Sequence, residues 1–316
     1  MSDAEPPLFG FEWNQFEEFP DEARDVVVAI ICLNQQGEPT QIGSGFFVRS
    51  EGSRALIVTA AHVITEGVRA FQNSRRRIRA HSTTPSDFLA PEVVSAASSD
   101  LRVIVTNGHR ADLCLVAHIA WDEASDLAVL AIVPSDDSVI DLFDSRLDVA
   151  ESDPRVGDII GVIGYAEFET NRDEGDISKG ILRRRMLIRI GKALEVHQGG
   201  FMRVTVPCVE GSMPTFSGMS GGAAFVLPAL GENFRVFGLL SRSDGSSSNP
   251  SDPDPASWDR SKNTRRSIFA SLRRTVVPTG DGGQLVTLGF TFSGTAINTE
   301  VDQARVANLA AWQPST

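Results

Sequence analysis

The sequence lacks most features that mark membrane and secreted proteins. Its 316 residues include only three cysteines and one tyrosine, and no apolar run approaches the ~18–20 residues that span a bilayer. The first seven residues carry neither a basic charge nor an apolar stretch, unlike the start of a signal peptide. We therefore expect a cytoplasmic protein that makes no contact with a membrane.

The cysteines and the net charge argue against two further classes of protein, those built on disulfide bonds and those that bind nucleic acid. Cys32, Cys114 and Cys208 are odd in number and each lies in an apolar run, which predicts buried free thiols rather than a disulfide framework. Basic residues number 29 against 41 acidic ones, so the net charge is −12. A chain this acidic repels phosphate backbones, and nucleic acid is not an expected partner.

The negative charge is concentrated at the start of the chain. Residues 1–25 contain eight carboxylates and a single basic residue, Arg24, and therefore carry −7 of the −12. The same segment contains Phe9, Phe11, Trp13, Phe16 and Phe19. Aromatic residues are not needed in a disordered acidic tail, so we expect this segment to dock on the protein or to bind a partner. Docking is favoured because six arginines cluster at 75–77 and 183–185.

After residue 25 the sequence has the pattern of an all-β protein. Short runs rich in Val, Ile and Phe alternate with turn residues, and they form two groups of six. The predicted strands of the first group are Val26–Leu33, Ser44–Arg49, Ala55–Thr59, Leu101–Thr106, Leu113–Ala120 and Leu127–Val133. Those of the second group are Ile159–Gly164, Met186–His197, Phe201–Pro207, Ala223–Leu227, Arg235–Ser241 and Leu285–Phe292. Two antiparallel six-stranded β-barrels are expected, because closure leaves no exposed sheet edge.

The strand groups also set the expected domain boundaries. Apolar residues at helical spacing predict helices over Arg265–Val276 and Glu300–Ala311. The expected units are the N-terminal segment 1–25, a first barrel over 26–134, a linker over 135–157, a second barrel over 158–293 with a loop and helix insertion at 244–277, and a C-terminal helix and tail over 294–316.

One loop has the pattern of a nucleophilic serine. Gly218–Gly222, with the sequence Gly-Met-Ser-Gly-Gly, precedes a predicted strand. Glycines on both sides of Ser220 let the backbone turn sharply and bring N–H groups close to a substrate carbonyl. The nucleophile elbow of α/β-hydrolases has a similar pattern, but its histidine follows the serine. All five histidines here precede Ser220, so that fold is excluded.

A base and a carboxylate that could activate this serine lie upstream of it. His62 follows the small residues Ala60 and Ala61, and Asp126 opens the strand Leu127–Val133. A carboxylate at a strand end can accept the imidazole Nδ1–H and so fix the tautomer whose Nε2 takes the serine proton. Asp112 is a second candidate for this carboxylate.

Three segments together resemble the signature segments of the trypsin-like serine peptidases. They are Thr59–His62, Ser125–Leu130 and Gly218–Gly222, and the nearest likeness is to the bacterial HtrA-type catalytic domain. Gly43–Val48 also resembles the strand before the histidine segment of that domain. The resemblance covers roughly residues 26–293 and implies two six-stranded barrels that hydrolyse peptide bonds of protein substrates without a cofactor. No region of PDZ size follows the core, so that regulatory domain is expected to be absent.

The resemblance also implies roles for individual residues. Ser220 would be the nucleophile, His62 the general base and acid, and Asp126 the orienting carboxylate, since its surroundings match the family's Asp-x-x-x-Asp-Leu-Ala segment better than those of Asp112. The N–H groups of Gly218 and Ser220 would form the oxyanion hole. The expected substrate-binding residues are Pro214, Thr215, Phe216 and Ser217 together with Ser241, Arg242 and Ser243, the last three pairing with the substrate main chain.

Two positions depart from the secreted digestive members of the family. Met219 replaces the aspartate that pairs with a newly cut N-terminus, so activation by that switch is not expected. Pro214 replaces the acid of trypsin, so the first specificity pocket is expected to accept an apolar or small side chain rather than Lys or Arg. The segment 65–110 is longer than in compact members and is expected to be a solvated insertion.

These features predict a serine endopeptidase, and the alternative is a catalytically inactive protein of the same fold that binds other proteins. An intracellular peptidase without a zymogen switch needs restraint, so we also expect a regulatory protein partner, as in a bacterial defence or stress system. No metal ion is expected, because the spacing of His109, Cys114 and His118 matches no zinc arrangement. The run Arg183–Arg185 is expected to be a solvated loop.

Overall fold

The computed structural model contains two closed six-stranded antiparallel β-barrels, as the sequence predicts. It describes residues 10–12, 25–33, 39–51, 54–74, 91–107, 110–134, 147–150, 152–173, 176–202, 204–205, 207–227, 235–243, 266–272, 276–278, 285–287 and 294–297. Within these ranges, neither helix is long and apolar enough to cross a membrane.

The elements are numbered in chain order. The first seven strands, which include all six of the first barrel, are β1 (Gly10–Glu12), β2 (Val27–Leu33), β3 (Pro39–Glu51), β4 (Arg54–Ala60), β5 (Leu101–Asn107), β6 (Arg110–Asp122) and β7 (Leu127–Val133). The following strands are β8 (Asp148–Val149), β9 (Ile159–Asp173), β10 (Asp176–His197), β11 (Cys208–Gly211), β12 (Ala223–Val226), β13 (Arg235–Ser243) and β14 (Ser267–Ser271). The last strands are β15 (Val276–Pro278), β16 (Leu285–Thr287) and β17 (Gly294–Ile297), and the helices are α1 (Ala61–Ser74) and α2 (Pro91–Ser98).

The first barrel has the strand order β5-β2-β3-β4-β7-β6 and closes where β6 pairs with β5. Val27–Cys32 of β2 are buried on both faces, which explains why this strand is a continuous apolar run rather than an alternating one. β17 adds to β6 outside the closed ring. Residues 294–297 therefore form a strand on the first barrel. The sequence had predicted that these residues begin a C-terminal helix and tail.

The second barrel has the strand order β9-β10-β11-β14-β13-β12 and closes where β12 pairs with β9. Its interior is an apolar cluster of buried residues from all six of these strands and from the loop before β12. Two short strands lie outside the ring: β8 pairs in parallel with β13, and β1 pairs with β10 at Leu187–Arg189. The pairing of β1 puts residues 10–12 of the acidic segment on the body of the protein.

Three predicted elements of the second barrel are wrong. The strand predicted over Leu285–Phe292 as a member of the barrel begins with β16, which pairs with β15 in a separate two-stranded sheet. The helix predicted over Arg265–Val276 is the strand β14, which lies between β11 and β13 and is buried at all five residues. The pairing of β14 on both edges determines its structure. The sequence pattern was misleading because a strand buried on both faces lacks the alternation of polar and apolar residues that distinguishes a strand from a helix. The strand predicted over Phe201–Pro207 is instead a loop with one bridge between Phe201 and Val204. The helix predicted over Glu300–Ala311 lies outside the described residues.

The segment 65–110 is not simply a solvated insertion. It contains most of α1, where Val68 and Phe71 are buried, and all of α2, where Val94 and Ala97 are buried. The apolar spacing in α1 places one face of this helix against the first barrel. The three cysteines are buried free thiols, as predicted.

Candidate active site

His62 and Asp126 are in direct contact. His62 is the second residue of α1, and Asp126 ends the tight turn between β6 and β7. Asp126 Oδ2 lies 2.9 Å from His62 Nδ1, and Asp126 Oδ1 accepts the backbone N–H of His62 at 2.9 Å. A carboxylate at Nδ1 assigns the ring proton to that nitrogen, so Nε2 is the acceptor of the imidazole. Asp126 is therefore the carboxylate in contact with His62, whereas Asp112 contacts Cys114.

Asp126 is itself held by both barrels. The backbone N–H of Ala61 donates to its carbonyl at 3.0 Å, and the Ser241 hydroxyl at the end of β13 donates to its Oδ2. Its φ of 55° is unusual for a residue other than glycine. The sequence assigned only main-chain pairing to Ser241, and no local pattern indicates that its side chain reaches a residue 115 positions away.

The turn that carries Asp126 is anchored at its start and from the second barrel. The Asp122 carboxylate accepts the backbone N–H groups of Ala124 at 3.3 Å and Ser125 at 3.1 Å. Thr205, in the loop before β11, donates its N–H at 2.8 Å and its hydroxyl at 2.9 Å to the carbonyl of Ala124. The position of the Asp126 backbone therefore depends on contacts that no local sequence pattern predicts.

The environment of His62 makes it a base of raised pKa. Burial is the largest influence and lowers the pKa of the imidazole, but the charge and hydrogen bond of Asp126 more than offset it. The net result is a His62 pKa above the ordinary 6.5. The imidazole is therefore protonated at a higher pH than an isolated histidine would be.

The Ser220 loop is fastened to the first barrel. The backbone N–H of Ser44 in β3 donates to the carbonyl of Ser220 at 2.7 Å, and the Ser44 hydroxyl donates to the carbonyl of Gly218 at 2.8 Å. The N–H of Gly221 donates to the carbonyl of Leu240 in β13 at 2.8 Å. Ser220 thus lies at the junction of the two barrels, between a strand of each.

Gly221 brings this loop against the strand end that precedes His62. Its φ is 81°, and a Cβ built on it would lie 2.2 Å from the carbonyl oxygen of Ser44, 2.3 Å from Oγ1 of Thr59 and 3.0 Å from the backbone nitrogen of Ala60. Ala60 is two residues before His62. Only glycine permits this approach, so Gly221 fixes how closely the serine loop and the histidine segment meet.

Gly221→Ala is expected to lower the free energy of unfolding by about 3–5 kcal/mol, because the new methyl group overlaps backbone and side-chain atoms. Gly157→Ala is the matched control: its φ is 93°, but nothing lies within 4 Å of a Cβ there, so only backbone strain of about 1 kcal/mol is expected. Urea unfolding of both variants measures the difference. Equal losses in the two variants would show that the close approach at Gly221 carries no cost.

The backbone before Ser220 forms a turn that sets the direction of the Gly218 N–H. Met219 N–H donates to the carbonyl of Phe216 at 3.2 Å, and Gly218, the third residue of the turn, has a φ of 89°. These are the features of a type II turn. The central peptide of this turn joins Ser217 to Gly218. In a type II turn this peptide is rotated by about 180° relative to a type I turn. The Gly218 N–H therefore points to the side where the Ser217 carbonyl would lie in a type I turn.

Two backbone segments near Ser220 are joined through Ser267 of β14. The Ser267 hydroxyl donates to the carbonyl of Met213 at 2.7 Å and lies 3.3 Å from the Thr215 hydroxyl. Ser267 also pairs with Ser243 in the register of β13 and β14. Ser267 therefore links the segment Pro214–Ser217 to the end of β13. Ser267 was not among the predicted residues.

The predicted substrate residues differ in exposure. Pro214, Thr215 and Phe216 are buried, Ser217 and Arg242 are exposed, and Ser241 is buried against Asp126. Ser243 is described only as part of the strand β13. Met219 is fully buried in the same apolar cluster as Phe216, so this position packs as a core residue and carries no charge.

One cluster in the described part of the chain has residue types that can bind a metal ion. Glu195, His197 and Glu210 have ligand atoms within 4.8 Å of one another. However, His197 Nδ1 faces Glu195 at 3.6 Å while Nε2 faces Glu210 at 3.4 Å, and Arg266 forms a salt bridge with Glu210. His197 therefore contacts both carboxylates, and Arg266 shares Glu210 with it, so the four residues form one polar network. Cys114, by contrast, contacts the Asp112 carboxylate at 3.4 Å, and burial raises the pKa of its thiol.

Comparison with known proteins identifies the family of this domain. Residues 43–228 match the family model described as trypsin-like peptidase domain, a span that contains His62, Asp126 and Ser220. No curated protein matches the chain significantly. Among solved structures, the chain is similar to a crystal structure of Rv3671c from M. tuberculosis H37Rv, a serine-to-alanine mutant in its inactive form. The identity is 16%, the TM-score is 0.40, and the match covers 95% of this chain and 94% of that chain.

Proposed function

The chain belongs to the trypsin-like peptidase family, and from that premise we propose that it is a serine endopeptidase acting through Ser220, His62 and Asp126. The observation that carries the proposal is the contact between Asp126 and His62, with Gly221 of the Ser220 loop lying against the backbone of Ala60, two residues before that histidine. A histidine oriented in this way is a general base for a neighbouring hydroxyl.

The proposed reaction has two halves. Ser220 Oγ attacks the carbonyl carbon of the substrate while His62 Nε2 takes its proton, and the imidazolium then donates that proton to the departing amine. Water next attacks the acyl-enzyme, with His62 again removing a proton, and this releases the second product and restores Ser220. Asp126 stabilises the imidazolium in both halves and holds its tautomer.

The negative oxygen of the tetrahedral intermediate would be bound by the N–H groups of Gly218 and Ser220. The type II turn at Phe216–Met219 supports this role, because the reversed peptide presents an N–H rather than a carbonyl on one side of the loop. This turn favours a catalytic role over the alternative of an inactive binding protein, because an inactive protein would need no hydrogen-bond donor for an oxyanion. Activation by a protein partner stays a prediction.

The proposal is tested by treating the purified full chain with a fluorophosphonate, which reacts with activated serines, and locating the adduct by mass spectrometry. We expect one adduct per chain, on Ser220. Denatured protein is the control and is expected to remain unlabelled. Absence of an adduct on the folded chain, or an adduct confined to another serine, would refute the assignment.

A further inference from the structure

Ser44 is a fully buried serine whose backbone and side chain are both hydrogen-bonded at the junction of the two barrels. Its N–H donates to the carbonyl of Ser220 at 2.7 Å, and its own carbonyl accepts the Thr59 hydroxyl of β4 at 2.7 Å. Its hydroxyl oxygen accepts the backbone N–H of Tyr165 in β9 at 2.8 Å and donates to the carbonyl of Gly218 at 2.8 Å. One residue therefore joins the Ser220 loop to a strand of each barrel.

The partners of the Ser44 hydroxyl fix the direction of its hydrogen bonds. The Tyr165 N–H can only donate and the Gly218 carbonyl can only accept, so the single hydroxyl proton lies on the bond to Gly218. The peptide that contains this carbonyl also contains the N–H of Met219, which donates to the carbonyl of Phe216 at 3.2 Å. A chain of hydrogen bonds thus runs from β9 through Ser44 to the bond that closes the type II turn, and the bonds of such a chain strengthen one another.

Ser44 holds the same two residues whose N–H groups are the proposed oxyanion donors. It is bonded to the carbonyls of Gly218 and Ser220. Fixing a carbonyl restricts the N–H of the same residue, because only two backbone rotations separate the two groups. The bond from Thr59, three residues before His62, also places Ser44 relative to the proposed base.

The serine loop packs on β9 without a side chain between them. A Cβ built on Gly164, the residue before Tyr165, would lie 3.1 Å from the Ser44 hydroxyl oxygen and 3.2 Å from the Cα and the carbonyl oxygen of Met219. Movement of the loop toward β9 is therefore limited by contact, and movement away from β9 breaks the bond from Ser44. The hydroxyl of Ser44 acts where the loop has little room to shift.

We propose that Ser44 is a positioning residue of the peptidase reaction, whose hydroxyl holds the Gly218 carbonyl and so sets the oxyanion donors relative to the attacking serine. The inference rests on the proposed function, because Ser44 acts through the Ser220 loop and not on the substrate. It also gives a role to a residue of Gly43–Val48, a segment that the sequence linked to the family without assigning a role to any of its side chains.

The test measures how fast the full chain reacts with a fluorophosphonate. As Ser220 displaces fluoride, the oxygen on phosphorus gains negative charge, so the rate depends on the oxyanion donors. Removing one complete donor costs ~10²–10³-fold in rate, and Ser44→Ala misplaces donors without removing them. We therefore expect its second-order rate constant to fall at least about tenfold. The backbone bond to Ser220 is kept, so labelling should still reach one adduct per chain.

The pH dependence of labelling shows which part of the site is affected. Ser44→Ala leaves the contact between His62 and Asp126 in place, so the midpoint of the rate against pH should equal that of the unaltered chain. A residue that only stabilised the fold would lower the fraction of folded chain, and hence the extent of labelling, without changing the rate constant of the folded fraction.

Two further variants separate positioning from stability. Ser98 is a buried serine of α2 whose hydroxyl donates to the carbonyl of Ser95 at 2.7 Å, so Ser98→Ala should lower the thermal stability in the same way and leave the rate constant unchanged. Thr59→Val removes the hydroxyl bonded to the Ser44 carbonyl while keeping the side-chain shape. It should slow labelling in the same direction, and it tests the proposal if Ser44→Ala does not fold.

The outcome for Ser44 is distinguishable from the outcome for the proposed function. If the unaltered chain labels on Ser220 and folded Ser44→Ala labels as fast as Ser98→Ala, the chain is a serine peptidase and the role of Ser44 is refuted. A slower rate with a shifted pH midpoint would also overturn the proposal, since the change would then act on His62. An unaltered chain that does not label refutes the proposed function and this inference with it.

Discussion

Ser220→Ala is expected to abolish labelling and to lower kcat/KM for a cleaved peptide by about 10⁶-fold, close to the rate without a nucleophile. The effect is this large because the attacking hydroxyl itself is lost. Ser220 is held between β3 and β13, since its carbonyl accepts the N–H of Ser44 and the N–H of Gly221 donates to the carbonyl of Leu240. Alanine fits the same backbone, so the fold should be unchanged. The comparison is made with equal concentrations of folded protein, confirmed by thermal unfolding.

A matched serine variant controls for handling and for contaminating peptidase. Ser152→Ala removes an exposed hydroxyl from a residue with no proposed role, and its kcat/KM should equal that of the unaltered chain. If Ser220→Ala retained labelling and hydrolysis at the level of Ser152→Ala, Ser220 would not be the nucleophile.

Asp126→Asn is expected to lower kcat by about 10⁴-fold. The asparagine amide can donate a hydrogen bond to Nδ1, which stabilises the tautomer with its proton on Nε2, and that nitrogen can then no longer accept the proton of Ser220. The change also weakens the acceptor of the Ser241 hydroxyl and of the His62 backbone N–H. The measurement is kcat at saturating substrate, with Ser220→Ala defining the background.

The pH dependence distinguishes this explanation from a general loss of packing. Activity requires neutral His62, so a raised pKa means that kcat/KM of the unaltered chain declines with falling pH through a midpoint above 6.5. Asp126→Asn removes the charge that raises the pKa and leaves the burial that lowers it, so the midpoint should move to lower pH. Glu66→Gln, which removes a smaller and more exposed influence on His62, should change kcat less than about threefold. A midpoint unmoved by Asp126→Asn would contradict the assigned role.

Secondary structure was predicted well where the local pattern and the pairing agree. Most of the strands in both barrels were found from apolar runs bounded by turn residues. The prediction failed at Ser267–Ser271, since a central strand buried on both faces has no alternation to distinguish it from a helix. It also failed at Phe201–Pro207, where the backbone of Thr205 bonds Ala124 of the other barrel rather than a neighbouring strand.

The candidate nucleophile, base and carboxylate could be named from the sequence because each has a local signature. Glycines surround Ser220, small residues precede His62, and a strand begins after Asp126. The residues that support them have no such signature. Thr205 and Ser267 are ordinary polar residues whose role depends on what lies opposite them, and the Ser241 hydroxyl reaches a carboxylate 115 residues away.

The sequence by itself determined the fold class, the three candidate reactive groups and their order along the chain, because apolar periodicity and glycine placement act over a few residues. It also located −7 of the net charge of −12 in the first 25 residues. Only the tertiary structure decided which distant residues support those groups: the Ser241 hydroxyl of the second barrel meets the carboxylate of Asp126, 115 residues earlier in the chain. Long-range contacts of this kind arise from barrel closure, which fixes neighbours by strand register rather than by position in the sequence.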